Sequence, residues 1–320
     1  MPTNHETITK PLFQQRLREF INNPSGHGLE VFSVIRNEDK TLKLKQFDAK
    51  DTLRSKLDNK LVNGYLQSNY LDEDALVLES MENVNDELAS LYYLHQTEDY
   101  HPFDFLNSNV SEKFRNSDIK QLTGFAFKIR VNDRFIWAYQ HVYPVSIIYP
   151  DLAIKIMSIG GNDAYDAVDS SYIVNIRDGV DVIVMDDTLY TSNIKLLESR
   201  FGFENFIRSK AEKTIDKIDS IRIVEDLSKL KEYESKQISR SKKLMNVFSS
   251  PVFEMDTDKL IEKLTTLPRY QSKVRIENGK IKLPTFKDVE TFIKVLNDDF
   301  LVSELTEIEY ESQNKSKLDP

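Results

Sequence analysis

The sequence predicts an α+β protein: a mainly antiparallel sheet with helices in the N-terminal part, then a largely helical C-terminal part carrying a short β-hairpin. Strand-like segments joined by short turns dominate the first part, and charged, helix-favouring sequence follows Asn193. The chain has 320 residues, of which 40% are apolar, and this length suits about two domains. We place an N-terminal α+β domain at residues 1–190 and a helical C-terminal domain at 191–320.

The first elements alternate between helix and strand. Apolar residues recur at helical spacing over 11–22, and the turn-forming sequence Asn23-Pro24-Ser25-Gly26 ends that helix. Segments 29–36 and 41–47 read as a hairpin around residues 37–40, and residues 51–65 return to a helical pattern.

Two further hairpins are predicted in the N-terminal part. One covers 125–142 and turns at Asn132-Asp133, and the other covers 172–186 and turns at Asp178-Gly179, a preferred type I′ dipeptide. Both faces of the second hairpin are apolar, which predicts a central strand pair covered on both sides.

The C-terminal part is predicted to contain helices over 206–217, 227–248 and 258–264. One hairpin interrupts them, with Asn278-Gly279 as its turn and Ile276 opposite Ile281.

Composition limits the function classes. The chain has no cysteine and a net charge of −9, so thiolate chemistry is excluded and nucleic-acid binding requires a local basic patch. The polar N-terminus lacks the apolar core of a secretory signal, and charged and proline residues interrupt the apolar stretch 143–160. We expect a cytoplasmic protein.

Candidate catalytic groups are sparse. His95 and His101 lack the spacing of metal ligands on one helix face, and a polar loop explains them better. Asp186-Asp187 follow an apolar run, as magnesium ligands of nucleases do, but a strand-terminating turn is favoured. Pro150-Asp151 with Lys155 resembles the start of a restriction-type nuclease core, but the second acidic residue that such a core needs is not present between them. We therefore expect no enzyme, metal or cofactor.

The main basic segment is 236–243, Lys-Gln-Ile-Ser-Arg-Ser-Lys-Lys, which contains no acid. On one continuous helix, Lys236, Arg240 and Lys243 would share a stripe, with Lys242 beside them. Arg208 and Lys210 add positive charge upstream. The residues alone favour a solvated helix face, and phosphate contact is the alternative.

A second candidate lies on the 125–142 hairpin. The Asn132-Asp133 turn places Lys128 opposite Trp137 and Arg130 opposite Phe135 on one face. Alternating cations and aromatic rings can hold nucleic acid, although cation–π pairs on an ordinary sheet surface have the same pattern.

The C-terminal part resembles the KwaB-like family of the Kiwa anti-phage defence system. The resemblance rests on three blocks: residues 239–247, the hairpin through 278–283, and 296–310 with Lys315 behind it. Together they cover about 191–317. Glu307 stands where the family pattern would place a glycine.

The resemblance implies a bacterial anti-phage effector that binds double-stranded DNA with little sequence preference and blocks phage replication or transcription. It also implies a homodimer that works with the membrane protein KwaA, which would recruit it to the inner membrane. Matched basic positions are Arg240, Lys242, Lys243, Lys280 and Lys282. No catalytic residue is carried over.

Two other hypotheses remain open at this point. The protein could be a protein-binding adaptor without a direct DNA role, whose interface is its acidic surface and aromatic hairpins. It could also be a metal-dependent nuclease that uses Asp186 or Asp187.

Overall fold

The computed structural model describes residues 10–22, 27–71, 77–79, 91–95, 100–149, 156–158, 165–167, 172–186, 188–248, 250–271, 273–302 and 309–311. It divides into two compact units, one within residues 1–78 and 87–194 and the other within 79–86 and 195–320. The fold is mixed α+β, as the sequence predicts.

The first unit is built on an eight-stranded sheet with the order β2-β1-β5-β6-β11-β12-β4-β3. Every pairing whose register is defined is antiparallel. The unit also contains two small two-stranded sheets, β7–β10 and β8–β9. Its strands are β1 Gly28–Arg36, β2 Leu42–Gln46, β3 Val77–Glu79, β4 Leu91–His95, β5 Leu122–Val131, β6 Arg134–His141, β7 Ile147–Ile148, β8 Ile156–Ser158, β9 Tyr165–Ala167, β10 Ile173–Val174, β11 Val182–Met185 and β12 Thr188–Thr191.

Helices cover one face of this sheet. They are α1 Lys10–Ile21, α2 Asp51–Leu57, a π-helical segment Asp58–Leu66 and α3 Gln67–Tyr70. The unit also contains 3₁₀ turns at Asp104–Asn107, Asn116–Gln121 and Pro144–Ser146. Phe13, Leu17 and Leu61 pack in one buried cluster with Phe127 and Ile136 of the sheet. Because side chains alternate along a strand, Lys128 and Trp137 project from the opposite face.

The β5–β6 hairpin confirms its predicted register. Val131 pairs with Arg134 across a two-residue loop, and Asn132 adopts a φ of 54°. Lys128 lies opposite Trp137, and Arg130 lies opposite Phe135.

The hairpin predicted over 172–186 is wrong. β11 is a central, fully buried strand, but its partners are β6 and β12, and the chain reverses at Asp186, whose φ is 51°. Gln140 holds the backbone of Arg177 through bonds of 2.9 and 3.0 Å, and buried Asp181 accepts a 2.7 Å bond from the His141 amide. These tertiary bonds hold residues 177–181 against β6, so Asp178-Gly179 forms no hairpin turn.

The second unit is helical around a small hairpin. Its elements are α4 Ile194–Arg200, α5 Phe203–Ser220, α6 Ser228–Lys236, α7 Ile238–Val247, α8 Thr257–Thr266, α9 Pro268–Gln271, β13 Arg275–Glu277, β14 Lys280–Lys282, α10 Phe286–Leu296, β15 Phe300–Val302 and β16 Glu309–Glu311, with a 3₁₀ turn at Pro251–Glu254. The core joins α5, α6, α7 and α10 through Ile215, Tyr233, Leu244 and Phe292. The predicted Ile276–Ile281 pair is confirmed, with left-handed Asn278 and Gly279 as the turn.

Several sequence predictions lie outside the described residues. These are the assignments for Pro150-Asp151, Lys155 and Asp187, and the parts of the family resemblance at 303–308 and Lys315.

Candidate nucleic-acid interface

The basic segment 236–243 is divided between two helices. α6 ends at Lys236 and α7 begins at Ile238, because Gln237 is extended with φ −155° and ψ 140°. The predicted continuous stripe of Lys236, Arg240 and Lys243 is therefore wrong. Lys236 remains on α6, where its ammonium lies 3.8 Å from Glu232.

Arg240 is held by aromatic rings at the start of α7. Its guanidinium lies 4.5 Å from the ring centre of Tyr233 and 4.8 Å from that of Phe286. The Tyr233 hydroxyl donates a 3.1 Å hydrogen bond to Glu290, and burial, together with that carboxylate, raises the pKa of Tyr233. Stacking fixes the guanidinium plane but leaves its N–H donors available to a phosphate.

The two lysines that follow differ in their charge partners. Lys242 forms an ion pair with Glu198 of α4. Lys243 is half-buried and has no ion pair or hydrogen bond within the part of the chain that the structure describes. An unpaired ammonium beside a stacked arginine is the arrangement on this helix that best suits an external anion.

Arg208 of α5 is bound internally. It lies 3.1 Å from Glu204 and 3.7 Å from buried Glu234, which also accepts a 2.7 Å bond from Ser241. α5 and α7 pack side by side, and this network joins α5 to the α6–α7 junction. Two acids already neutralise Arg208, so it contributes little net positive charge.

A second basic group surrounds Phe248, immediately after α7. Lys210 and Lys217 both lie 5.3 Å from its ring centre, and Lys217 donates a 3.0 Å bond to its carbonyl. Lys217 was not among the predicted site residues. The seven-residue spacing between Lys210 and Lys217, two turns of one helix, is the sequence signal that could have identified it.

The hairpin lysines are held by their own unit. Lys280 donates to the carbonyl of Arg222, and Lys282 pairs with Glu225 and lies 3.8 Å from Glu277. These contacts fasten β14 to the segment that follows α5, which gives both lysines a structural role.

The basic positions of the first unit form a separate group. Arg130 pairs with Glu30 at 3.0 Å, whereas the Lys128 ammonium lies 4.0 Å from the ring centre of Phe135 and 5.1 Å from that of Trp137. Burial, and then the nearby Arg130, lowers the pKa of Lys128. The predicted cation–aromatic face is present.

Asp186, the candidate ligand for a metal ion, is paired with an arginine. Asp186 forms the β11–β12 turn and accepts a 3.1 Å bond from Arg16. Over the described ranges, no group of three His, Cys, Asp or Glu side chains is placed to hold a metal ion. His95 lies at the end of β4 rather than in a loop.

Among the residues that the structure describes, no helix is both long and apolar enough to cross a bilayer.

Comparison with known proteins relates these features to a family. The family model described as "Kiwa protein KwaB-like" matches residues 119–306. A curated relative, "Kiwa protein KwaB" of Escherichia coli O55:H7 (strain RM12579 / EPEC), is 29% identical over 151 residues, which are 46% of this chain and 48% of the relative. The alignment thus spans about half of the relative, and no solved structure matches the chain. Because the family model covers more than half of its residues, this chain belongs to the Kiwa protein KwaB-like family.

Proposed function

We propose that this protein acts in anti-phage defence by binding duplex DNA with little sequence preference and blocking its replication or transcription. Family membership supports the defence role. The proposal of DNA binding rests mainly on two cations of α7. The guanidinium of Arg240 lies against the rings of Tyr233 and Phe286, and Lys243 has no acidic partner among the described residues.

Non-specific binding needs phosphate contacts rather than base contacts. A protein with a net charge of −9 repels DNA on average, so affinity must come from a local group of cations. Arg240 and Lys243 form the centre of this proposed surface, and Lys210 and Lys217 of the same unit supplement it. For Lys128 and Arg130, in the other unit, a part in DNA binding stays a prediction.

The proposal includes no catalytic step. A protein bound along DNA obstructs polymerases without cutting the duplex, which is compatible with the pairing of Asp186 to Arg16. The family resemblance further suggests a homodimer and the membrane protein KwaA as partner, and we include both in the proposal.

Fluorescence anisotropy with a labelled random-sequence duplex tests DNA binding. The test variant is Arg240→Glu with Lys243→Glu, and the matched control is Lys259→Glu with Lys263→Glu on exposed positions of α8, which makes the same charge change in the same unit. We expect the slope of log K against log salt to become shallower by about two in the test variant, since each phosphate contact contributes about 0.9.

Equal loss of affinity in both variants would show that only net charge matters, and would overturn the assignment to α7. A plaque assay in cells expressing the same variants separates the adaptor hypothesis. If the α7 variant loses DNA binding in vitro and still protects the cells, defence does not depend on DNA contact.

A further inference from the structure

The first unit contains a polar groove on the sheet face opposite α1 and the 51–70 helical segment. Glu30, Lys128 and Trp137 are aligned across β1, β5 and β6 and form part of its floor, and residues 106–110 form a wall. The groove has a volume of about 380 Å³. This volume lies within the range of roughly 300–1,000 Å³ that is typical of small-molecule sites.

Three aromatic residues, Phe32, Phe135 and Trp137, are among those that line this polar groove. Trp137 is only 4% exposed, and the ring of Phe32 lies 5.4 Å from it. Phe135 is 40% exposed and meets Trp137 edge to face at 6.3 Å. A solvent-facing ring beside a buried indole offers a surface on which a planar ligand can stack.

The groove contains a cation without an anion. Within the described ranges, Lys128 has no ion pair or hydrogen bond, and its contacts are the rings of Phe135 and Trp137. The other charged lining residue, Glu30, is paired with Arg130 at 3.0 Å. The lowered pKa of Lys128 reflects the partial removal of its ammonium from water. A bound anion would restore the interactions that burial has removed.

Trp137, which lines the groove, also has an unused donor. The indole Nε1–H of Trp137 is buried and has no hydrogen-bond acceptor in the described part of the chain. Native structures rarely leave such a donor unpaired, which marks Trp137 as a residue that can take up a further hydrogen bond.

We propose that this groove binds a small ring-bearing organic anion of the nucleoside monophosphate class. The anionic group would pair with Lys128 and the planar ring would stack on Phe135. Gln46, Asn107 and Asn109 also line the groove, and their side-chain amides would supply donors and acceptors for the ring edge. A single free cation suits one anionic group better than the repeated phosphates of a polymer. The proposal is independent of DNA binding by α7.

The chain's single tryptophan provides the measurement, because Trp137 lines the groove. The full chain is titrated separately with AMP, GMP, CMP and UMP while indole emission is recorded with excitation at the red edge, and isothermal calorimetry supplies a second readout. We expect a saturable change with at least one nucleotide. Lys128→Ala should weaken that binding by about tenfold or more, which is the loss of one charged contact.

Three controls make the result specific. Lys120→Ala, at an exposed lysine outside the groove, should bind as the unchanged protein does, and Lys128→Arg should retain most affinity. Inorganic phosphate alone should bind much more weakly, because it has no ring. Equal affinity in Lys128→Ala, or no saturable signal by either method with any of the four nucleotides, would overturn the proposal. An emission change with duplex DNA but with no mononucleotide would assign the groove to the polymer and also overturn it.

Discussion

The Ser241 hydroxyl donates a 2.7 Å hydrogen bond to the Glu234 carboxylate across the break between α6 and α7, and both side chains are buried. Arg208 lies 3.7 Å from the same carboxylate. This bond spans the point where extended Gln237 separates the helices, so it stabilises the orientation of α7 and of the basic residues on it.

Replacing Ser241 with alanine should destabilise the second unit. The change removes a donor to a buried carboxylate, for which we expect a loss of about 1–3 kcal/mol in the free energy of unfolding. Urea denaturation followed by circular dichroism measures it. Ser239→Ala, at an exposed position of the same helix, is the control and should change stability by less than about 0.5 kcal/mol. Similar losses in both variants would contradict the role of the bond.

The neighbouring lysines of α7 should contribute unequally to DNA binding. Lys242 is already paired with Glu198, whereas Lys243 has no acidic partner in the described residues. Lys243→Ala should therefore reduce the salt slope of duplex binding by about one, and Lys242→Ala should change it much less. The anisotropy titration described above measures both. The reverse order of effects would show that the Glu198 pair opens when DNA binds.

Gly124 should not tolerate a side chain. A Cβ at this position would lie 2.5 Å from the ring of Tyr139, which is 1% exposed and pairs with Ala126, two residues further along the same strand. We expect Gly124→Ala to cost about 1–3 kcal/mol through overpacking, seen as a lower midpoint in thermal unfolding. Gly28→Ala is the matched control on β1, since an added Cβ there meets nothing within 4 Å. Equal midpoints for the two variants would show that Tyr139 moves freely.

Acid should weaken the first unit through Asp118. Burial raises the pKa of this carboxyl, but the amide of Arg115 at 2.9 Å and the ammonium of Lys45 at 3.0 Å outweigh burial, so its pKa is lowered from its ordinary value. A carboxyl with a lowered folded-state pKa stabilises the fold at pH above its unfolded value, and that contribution disappears as pH falls through the folded value.

Asp118→Asn should therefore be less stable than the unchanged protein at pH 7, and the difference should shrink below a pH of about 4. Thermal unfolding at stepped pH values measures it. Asp133→Asn, at an exposed hairpin turn, serves as the control. A stability difference that stays constant down to acid pH would exclude ionisation of Asp118 as the cause.

Local sequence was sufficient where neighbouring residues decide the conformation. Asn132-Asp133 and Asn278-Gly279 turn as predicted, because residues that tolerate positive φ stand between segments of matching alternation. That register in turn places Lys128 opposite Trp137. The α+β class follows from the same local periodicities.

Tertiary contacts decided the rest. Asp178-Gly179 has equally favourable turn chemistry, yet Gln140 and Asp181 hold that segment against β6, and the chain reverses at Asp186 instead. The basic segment looks continuous in sequence, but Gln237 divides it, and the Glu234–Ser241 bond fastens the two helices. Which cations remain unpaired depends on acids distant in the chain, such as Glu198 for Lys242. The sequence by itself therefore determined the fold class, the two turns and the candidate basic residues. Only the tertiary structure decided which of those basic residues are free to bind an anion, because their acidic partners are brought to them by folding.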